Sequence, residues 1–174
     1  MKYDISKVLP IEQVHGEKKA WEQAESQAGI IFPEDYKNFT ERYGVGAING
    51  FLWILSPFCK NENLNTFHSF KDMEYAYNCM KKEISERLPY EFYHEGKGLF
   101  PWGVTDNGDE LYWNFRQGTA DEIVVLAAGY ENTVCYKMNM EEFLFKILTE
   151  EIVCPFFPND LLCENNFYQL AKVQ

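Results

Sequence analysis

The most constraining feature of this sequence is a series of short strand patterns in its second half, separated by tight turns. Residues 110–116 show the pattern best, because Leu111, Trp113 and Phe115 alternate with polar side chains at the two-residue period of a strand. The turn at residues 106–109, Asp-Asn-Gly-Asp, precedes it. Four strands are predicted, at residues 99–104, 110–116, 123–128 and 133–138. Short turns between successive strands predict mainly antiparallel pairing.

Helical patterns precede and follow these strands in the sequence. Pro33 and Gly44 frame one predicted helix, since Pro suits a first turn and Gly suits a helix end. Other helices are predicted at about residues 15–28 and 70–87, the second with Ser69 and Asp72 as a capping box, and after Asn139. A further strand is predicted at residues 47–55, with a turn or bulge at Asn49-Gly50. This order of elements favours an α+β domain.

The composition supports one folded domain. The chain has 174 residues, of which 46% are hydrophobic and 17% aromatic, enough for a sizeable core. No apolar stretch approaches the length of a membrane helix, and the first residues lack the apolar centre of a secretory signal. The five Cys are widely spaced without a C-x-x-C motif, which favours a reducing compartment. We therefore expect a cytoplasmic protein with no membrane partner.

The charge is strongly negative. There are 27 acidic residues against 16 Lys and Arg, giving a formal net charge of −11. Such a chain repels phosphate backbones, so we expect no direct contact with nucleic acid. It attracts basic proteins and speeds their association. The alternative is that the charge serves solubility alone.

The sequence shows no pattern typical of catalysis. His15, His68 and His94 are too far from one another and from paired Cys to suggest a metal site. Nucleotide-binding loops and nucleophile elbows are absent from the sequence. A thiol–imidazole pair of Cys59 with His68 is possible only if the fold assembles it. We expect no catalytic residue, no metal and no cofactor.

Four segments in order resemble the SUKH superfamily, which includes fungal cell-wall assembly regulators and bacterial immunity proteins. The apolar-Pro-x-x-Tyr-x-x-Phe pattern of the family is matched at residues 31–39 and leads to Asn49-Gly50. The remaining segments are Leu-Phe-Pro-Trp at 99–102 followed by the turn and the strand to Phe115, Asp-Glu-Ile-Val-Val-Leu at 121–126, and Asn-Met-Glu-Glu-Phe-Leu at 139–144. Phe32 and Thr40 depart from the usual Leu at their positions, and residues 45–48 delay the Asn-Gly.

The resemblance implies a twisted, mainly antiparallel central sheet with helices packed against it, in a domain spanning residues 1–150. Residues 151–174 have no counterpart in the family pattern and are too apolar to hang free, so we expect them to dock on the same domain. The resemblance also implies an immunity protein that neutralises a cognate toxin, a nuclease or nucleic-acid deaminase of a polymorphic or contact-dependent system. The alternative is a non-catalytic regulatory scaffold. It implies no catalytic residue, and the oligomeric state stays open.

Partner-binding residues are predicted on the polar face of the central strands and in the neighbouring turns. They are Asp106, Asp109, Glu110, Tyr112, Asn114 and Glu131. The alternative is that these side chains form an ordinary solvated sheet face and ordinary turns.

Overall fold

The computed structural model describes residues 3–10, 19–159 and 165–170. The helices are α1 (Trp21–Ala28), α2 (Glu34–Tyr43), α3 (Thr66–Lys81) and α4 (Met140–Leu148). The strands are β1 (Gly46–Ile48), β2 (Leu52–Ile54), β3 (Gly98–Thr105), β4 (Glu110–Arg116), β5 (Thr119–Leu126), β6 (Thr133–Tyr136) and β7 (Phe167–Gln169). They form one antiparallel sheet in the order β6-β5-β4-β3-β2-β1-β7. The predicted α+β class, with helices packed on an antiparallel sheet, is confirmed.

Each face of the sheet has its own hydrophobic cluster. On one face, Trp102 and Trp113 pack with residues of α1, α2 and α4. On the other face, Tyr77 of α3 packs with Tyr112 and Val124 of the sheet. The continuous apolar run of β5 follows from this arrangement, because its successive side chains enter opposite clusters.

The ends of several elements differ from the predicted ones. The predicted strand at residues 47–55 is a hairpin, in which Asn49 and Gly50 both adopt positive φ and separate β1 from β2. The helix predicted at residues 70–87 begins at Thr66, because Asn65 accepts hydrogen bonds from the amides of Phe67 and His68. The Ser69 capping box is therefore wrong. The predicted start of α1 at His15 lies outside the described residues.

The described part of the C-terminal extension, residues 151–159 and 165–170, contributes a strand to the sheet. Strand β7, which the sequence did not suggest, pairs with β1 and forms one end of the sheet. Upstream of it, Phe157 packs on Phe51 of the β1–β2 turn at a ring distance of 5.6 Å. Residues 160–164, which include the fifth cysteine, Cys163, lie outside the described residues.

Candidate partner-binding surface

Three connections meet at one end of the sheet. The pairing of Leu52 with Thr105 and of Glu110 with Leu126 brings the β1–β2, β3–β4 and β5–β6 connections side by side. The segment after α4 joins them through Phe157. We call this surface the turn rim, and define it as residues 49–51, 106–109, 127–132 and 150–158.

Asp106 is an exposed member of the turn rim. Its Oδ1 accepts a hydrogen bond of 2.7 Å from the indole Nε1 of Trp53, which is partly buried. Its backbone amide donates to the carbonyl of Phe51 at 3.0 Å. These two contacts fix the position of the carboxylate while leaving it in reach of a partner.

Asp109 differs from the expectation of a solvated turn carboxylate. It is only 3% exposed. Its Oδ2 accepts from the hydroxyl of Thr105 at 2.7 Å, and its Oδ1 accepts from the amide of Ala128 at 3.0 Å. The side chain thus joins the β3–β4 turn to the β5–β6 connection and is used inside the fold.

Glu110 and Tyr112 belong to a largely buried network under the rim. Glu110 accepts hydrogen bonds from the hydroxyls of Tyr112 and Tyr130, the latter at 3.2 Å. Burial raises the pKa of Glu110, against the opposing effect of these hydrogen bonds. Burial and the nearby Glu110 carboxylate raise the pKa of Tyr112 well above its ordinary value. The network anchors the β5–β6 connection at Tyr130, which has a positive φ of 59°.

Asn114 lies four residues further along β4, away from the turn rim. It is 8% exposed, and its Nδ2 donates to Glu122 Oε2 at 2.8 Å. Arg116 reaches the same carboxylate oxygen at 3.3 Å. The polar face of the central strands is therefore not a solvated face, because α3 and these internal contacts cover it.

Glu131 is exposed in the β5–β6 connection. Of the six predicted residues, the structure thus places Asp106 and Glu131 at the solvent-exposed rim and Glu110 partly buried beneath them. The other three, Asp109, Tyr112 and Asn114, are buried. Burial excludes direct contact with a partner at these three positions unless the fold opens.

Sequence reasoning missed part of the rim. Glu150 and Glu151 are exposed there, as is Val153, whose surface is 71% accessible. Val153 also lines a pocket of about 230 Å³ with Ile152 and Phe157. The four segments of the turn rim contain no Lys, Arg or His. The lack of basic residues in each segment is visible in the sequence, but only the fold shows that the segments adjoin.

Among residues 3–10, 19–159 and 165–170, no three His, Cys, Asp or Glu side chains cluster in a way that could hold a metal ion. Cys59 is buried, whereas His68 is exposed on α3. Within the same ranges, no helix has the length and apolar character needed to cross a membrane.

Comparison with known proteins identifies a family for this chain. The family model described as SUKH_6, SMI1-KNR4 cell-wall, matches residues 18–144, which is more than half of the chain. No curated protein and no solved structure gives a significant match. The matched range includes α1 to α4 up to Leu144 and strands β1 to β6, and it leaves out β7.

Proposed function

Because this chain belongs to the SUKH_6 (SMI1-KNR4) family of the SUKH superfamily, we propose that it is a cytoplasmic immunity protein that neutralises a cognate bacterial toxin. It acts by protein–protein contact and without catalysis. The toxin is a nuclease or a nucleic-acid deaminase. The observation that carries the proposal is the turn rim, an acidic surface without a basic residue on a chain of net charge −11.

The chemistry of the rim suits a basic partner. A nuclease or deaminase holds its nucleic acid in a positively charged groove, which attracts an acidic protein surface in the same way. Asp106 and Glu131 supply exposed carboxylates, and Trp53 beside Asp106 supplies an aromatic side chain of the kind enriched at binding hot spots. An inhibitor seated there blocks the groove sterically and repels the substrate.

The rim is also held rigid, which favours tight binding. The amide of Asp106 binds Phe51, Asp109 binds Ala128, and the ring of Phe51 packs on Phe157, so adjacent segments are cross-linked. A surface that is ordered before binding loses little conformational entropy when the partner arrives.

The decisive experiment combines the purified chain with the toxin domain encoded by a neighbouring gene. We expect a stable complex and loss of toxin activity. The double variant D106K/E131K should weaken binding by at least about tenfold, because it reverses two charges facing the basic partner. The matched control is E95K/D121K, which makes the same charge change at exposed residues outside the rim. Equal effects of both variants would exclude the rim as the contact surface.

A second candidate function is a regulatory scaffold that binds several partners weakly. The cell-wall description of the matching family favours it. Affinity capture with the intact chain distinguishes the two functions: an immunity protein retains one basic toxin, whereas a scaffold retains several proteins whose binding tolerates D106K/E131K.

A further inference from the structure

The last strand of the sheet comes from outside the residues that match the family. Strand β7 pairs with β1 in the antiparallel register Gly46 with Gln169 and Ile48 with Phe167. The pairing continues beyond both ends of β7. The amide of Asn49 donates to the carbonyl of Asn166, and the amide of Leu170 donates to the carbonyl of Val45, each at 2.8 Å. Residues 165–170 thus occupy an edge that the family-matching part of the chain presents.

The β1 edge is shaped for a close backbone approach. A Cβ atom at Gly46 would lie 2.3 Å from the carbonyl oxygen of Tyr168 and 2.8 Å from the ring of Phe167. The first of these contacts is with backbone, which cannot move aside while the strands stay paired. Glycine at position 46 is therefore required for the pairing with β7.

Two side chains of the tail fit specific features beside β1. The ring of Phe167 packs against Phe39 at 5.8 Å and Tyr43 at 5.2 Å, both on α2. The Nε2 of Gln169 donates to the carbonyl of Tyr43 at 3.2 Å. The edge therefore selects an extended segment with an aromatic residue followed, two positions later, by an amide.

None of residues 165–170 is fully buried. Tyr168 is 54% exposed, Gln169 is exposed and Phe167 is only partly buried. Segments with few buried contacts open locally at a smaller free-energy cost than the core. Strand β7 can then leave β1 without unfolding β3 to β5.

We propose that the β1 edge is a binding site for an extended peptide segment, which residues 165–170 of the chain itself fill. Recognition occurs by strand addition, in which backbone hydrogen bonds give affinity and the aromatic seat gives specificity. Local release of the tail opens the site for the same kind of segment supplied by another molecule. This binding site adjoins the turn rim at Asn49. It does not rest on the toxin-neutralising function.

The first test is hydrogen exchange of the unmodified chain at low denaturant concentrations. We expect the amides of Asn49 and Leu170 to exchange at least about 100-fold faster than that of Trp113 and with little dependence on denaturant, the signature of local opening. If they exchanged together with Trp113, the tail would be an integral part of the core, and the proposal would be wrong.

The second test uses the full-length variant F167A/Q169A, which removes the two side chains that hold the tail against α2. A labelled peptide of residues 165–170, Asn-Asn-Phe-Tyr-Gln-Leu, should bind this variant at least about tenfold more tightly than it binds the unmodified chain, where the tethered tail competes at an effective concentration on the order of millimolar. Fluorescence anisotropy measures both affinities.

Two further variants make this test specific. Y168A changes the exposed residue between Phe167 and Gln169 and should leave peptide binding as weak as in the unmodified chain. G46A added to F167A/Q169A should abolish binding, because its Cβ occupies the position that a paired carbonyl needs. Peptide binding that survives G46A, or that is absent from F167A/Q169A, would overturn the proposal; if that variant fails to fold, the exchange experiment decides.

Discussion

At the scale of single residues, burial separates carboxylates that can contact a partner from those that hold the fold. Asp106 and Glu131 are exposed at the turn rim, whereas Asp109 is buried with a protein partner for each oxygen. An acid that is buried and bonded at both oxygens inside the protein is costly to replace and lies out of reach of a ligand. Residues 106 and 109 therefore carry the same side chain for different purposes.

Replacing Asp109 with Asn should lower the free energy of unfolding by about 1–3 kcal/mol, because Thr105 and Ala128 donate to different carboxylate oxygens and the amide keeps only one of them as an acceptor. Urea denaturation measures this loss. The matched control D106N changes the same side chain at an exposed position and should stay within about 0.5 kcal/mol of the unmodified chain. Equal stabilities of the two variants would contradict the role assigned to Asp109.

The raised pKa of Glu110 predicts a pH effect on stability. Because the folded chain holds this proton more tightly than the unfolded chain, the contribution of Glu110 is fully present below the ordinary Glu pKa of 4.5 and is lost as the pH rises through the higher folded value. The variant E110Q should remove this loss of stability with rising pH. Urea midpoints measured from pH 4 to pH 8 should decline less for E110Q than for the unmodified chain, and parallel curves would contradict the prediction.

At the scale of elements, local sequence patterns predict an element correctly where its boundaries depend on that segment alone. Strand β4 runs from Glu110 to Arg116 as the alternation predicts, since successive side chains point to opposite covered faces of the sheet. The start of α3 was misplaced, because the cap is Asn65, whose Nδ2 also donates to the carbonyl of Cys59 in the preceding loop, a contact that no helical pattern reveals. Strand β7 has three residues and exists only through pairing with β1, which no local pattern reveals.

The exposure of the six predicted residues could be anticipated only in part, for the same reason. The turn at residues 106–109 and the exposed Glu131 are visible as local polar signals. The burial of Asp109 depends on the amide of Ala128, 19 residues later, and the burial of Asn114 depends on Glu122 in the next strand. Contacts of this kind follow from strand register, and the sequence alone did not supply that register.

The cap of α3 gives a prediction at the element scale. N65A should lower the free energy of unfolding by about 1–2 kcal/mol, because it removes the side-chain acceptor for two amides at the helix start. Chemical denaturation followed by circular dichroism measures the change. N61A removes an analogous acceptor from the short helix at Glu62–Leu64, and the smaller helix should make its effect smaller. A larger loss of unfolding free energy for N61A than for N65A would contradict the assignment of Asn65 as the cap of α3.

At the scale of the whole molecule, net charge and the turn rim play different roles in the proposed complex. The charge of −11 attracts any basic protein from a distance, whichever face it approaches. The rim combines exposed carboxylates, one of them held by the neighbouring Trp53, with the absence of basic side chains. Long-range attraction therefore sets the rate of encounter, and the rim decides which encounters last.

This division predicts how salt acts on the complex with the neighbouring toxin domain. Raising sodium chloride from 50 to 500 mM should lower the association rate constant by about tenfold or more, because salt screens long-range attraction, while the dissociation rate constant changes little. Surface plasmon resonance separates the two constants. E95K/D121K should reduce association modestly at low salt and match the unmodified chain at high salt.

D106K/E131K should behave differently from that control, because its charges lie within the contact itself. Repulsion at close range between desolvated groups is screened far less than attraction at a distance. The dissociation rate constant should therefore stay raised at 500 mM salt. If high salt restored normal dissociation to D106K/E131K, the two carboxylates would act only through the overall field of the molecule, and the toxin would have to bind another face.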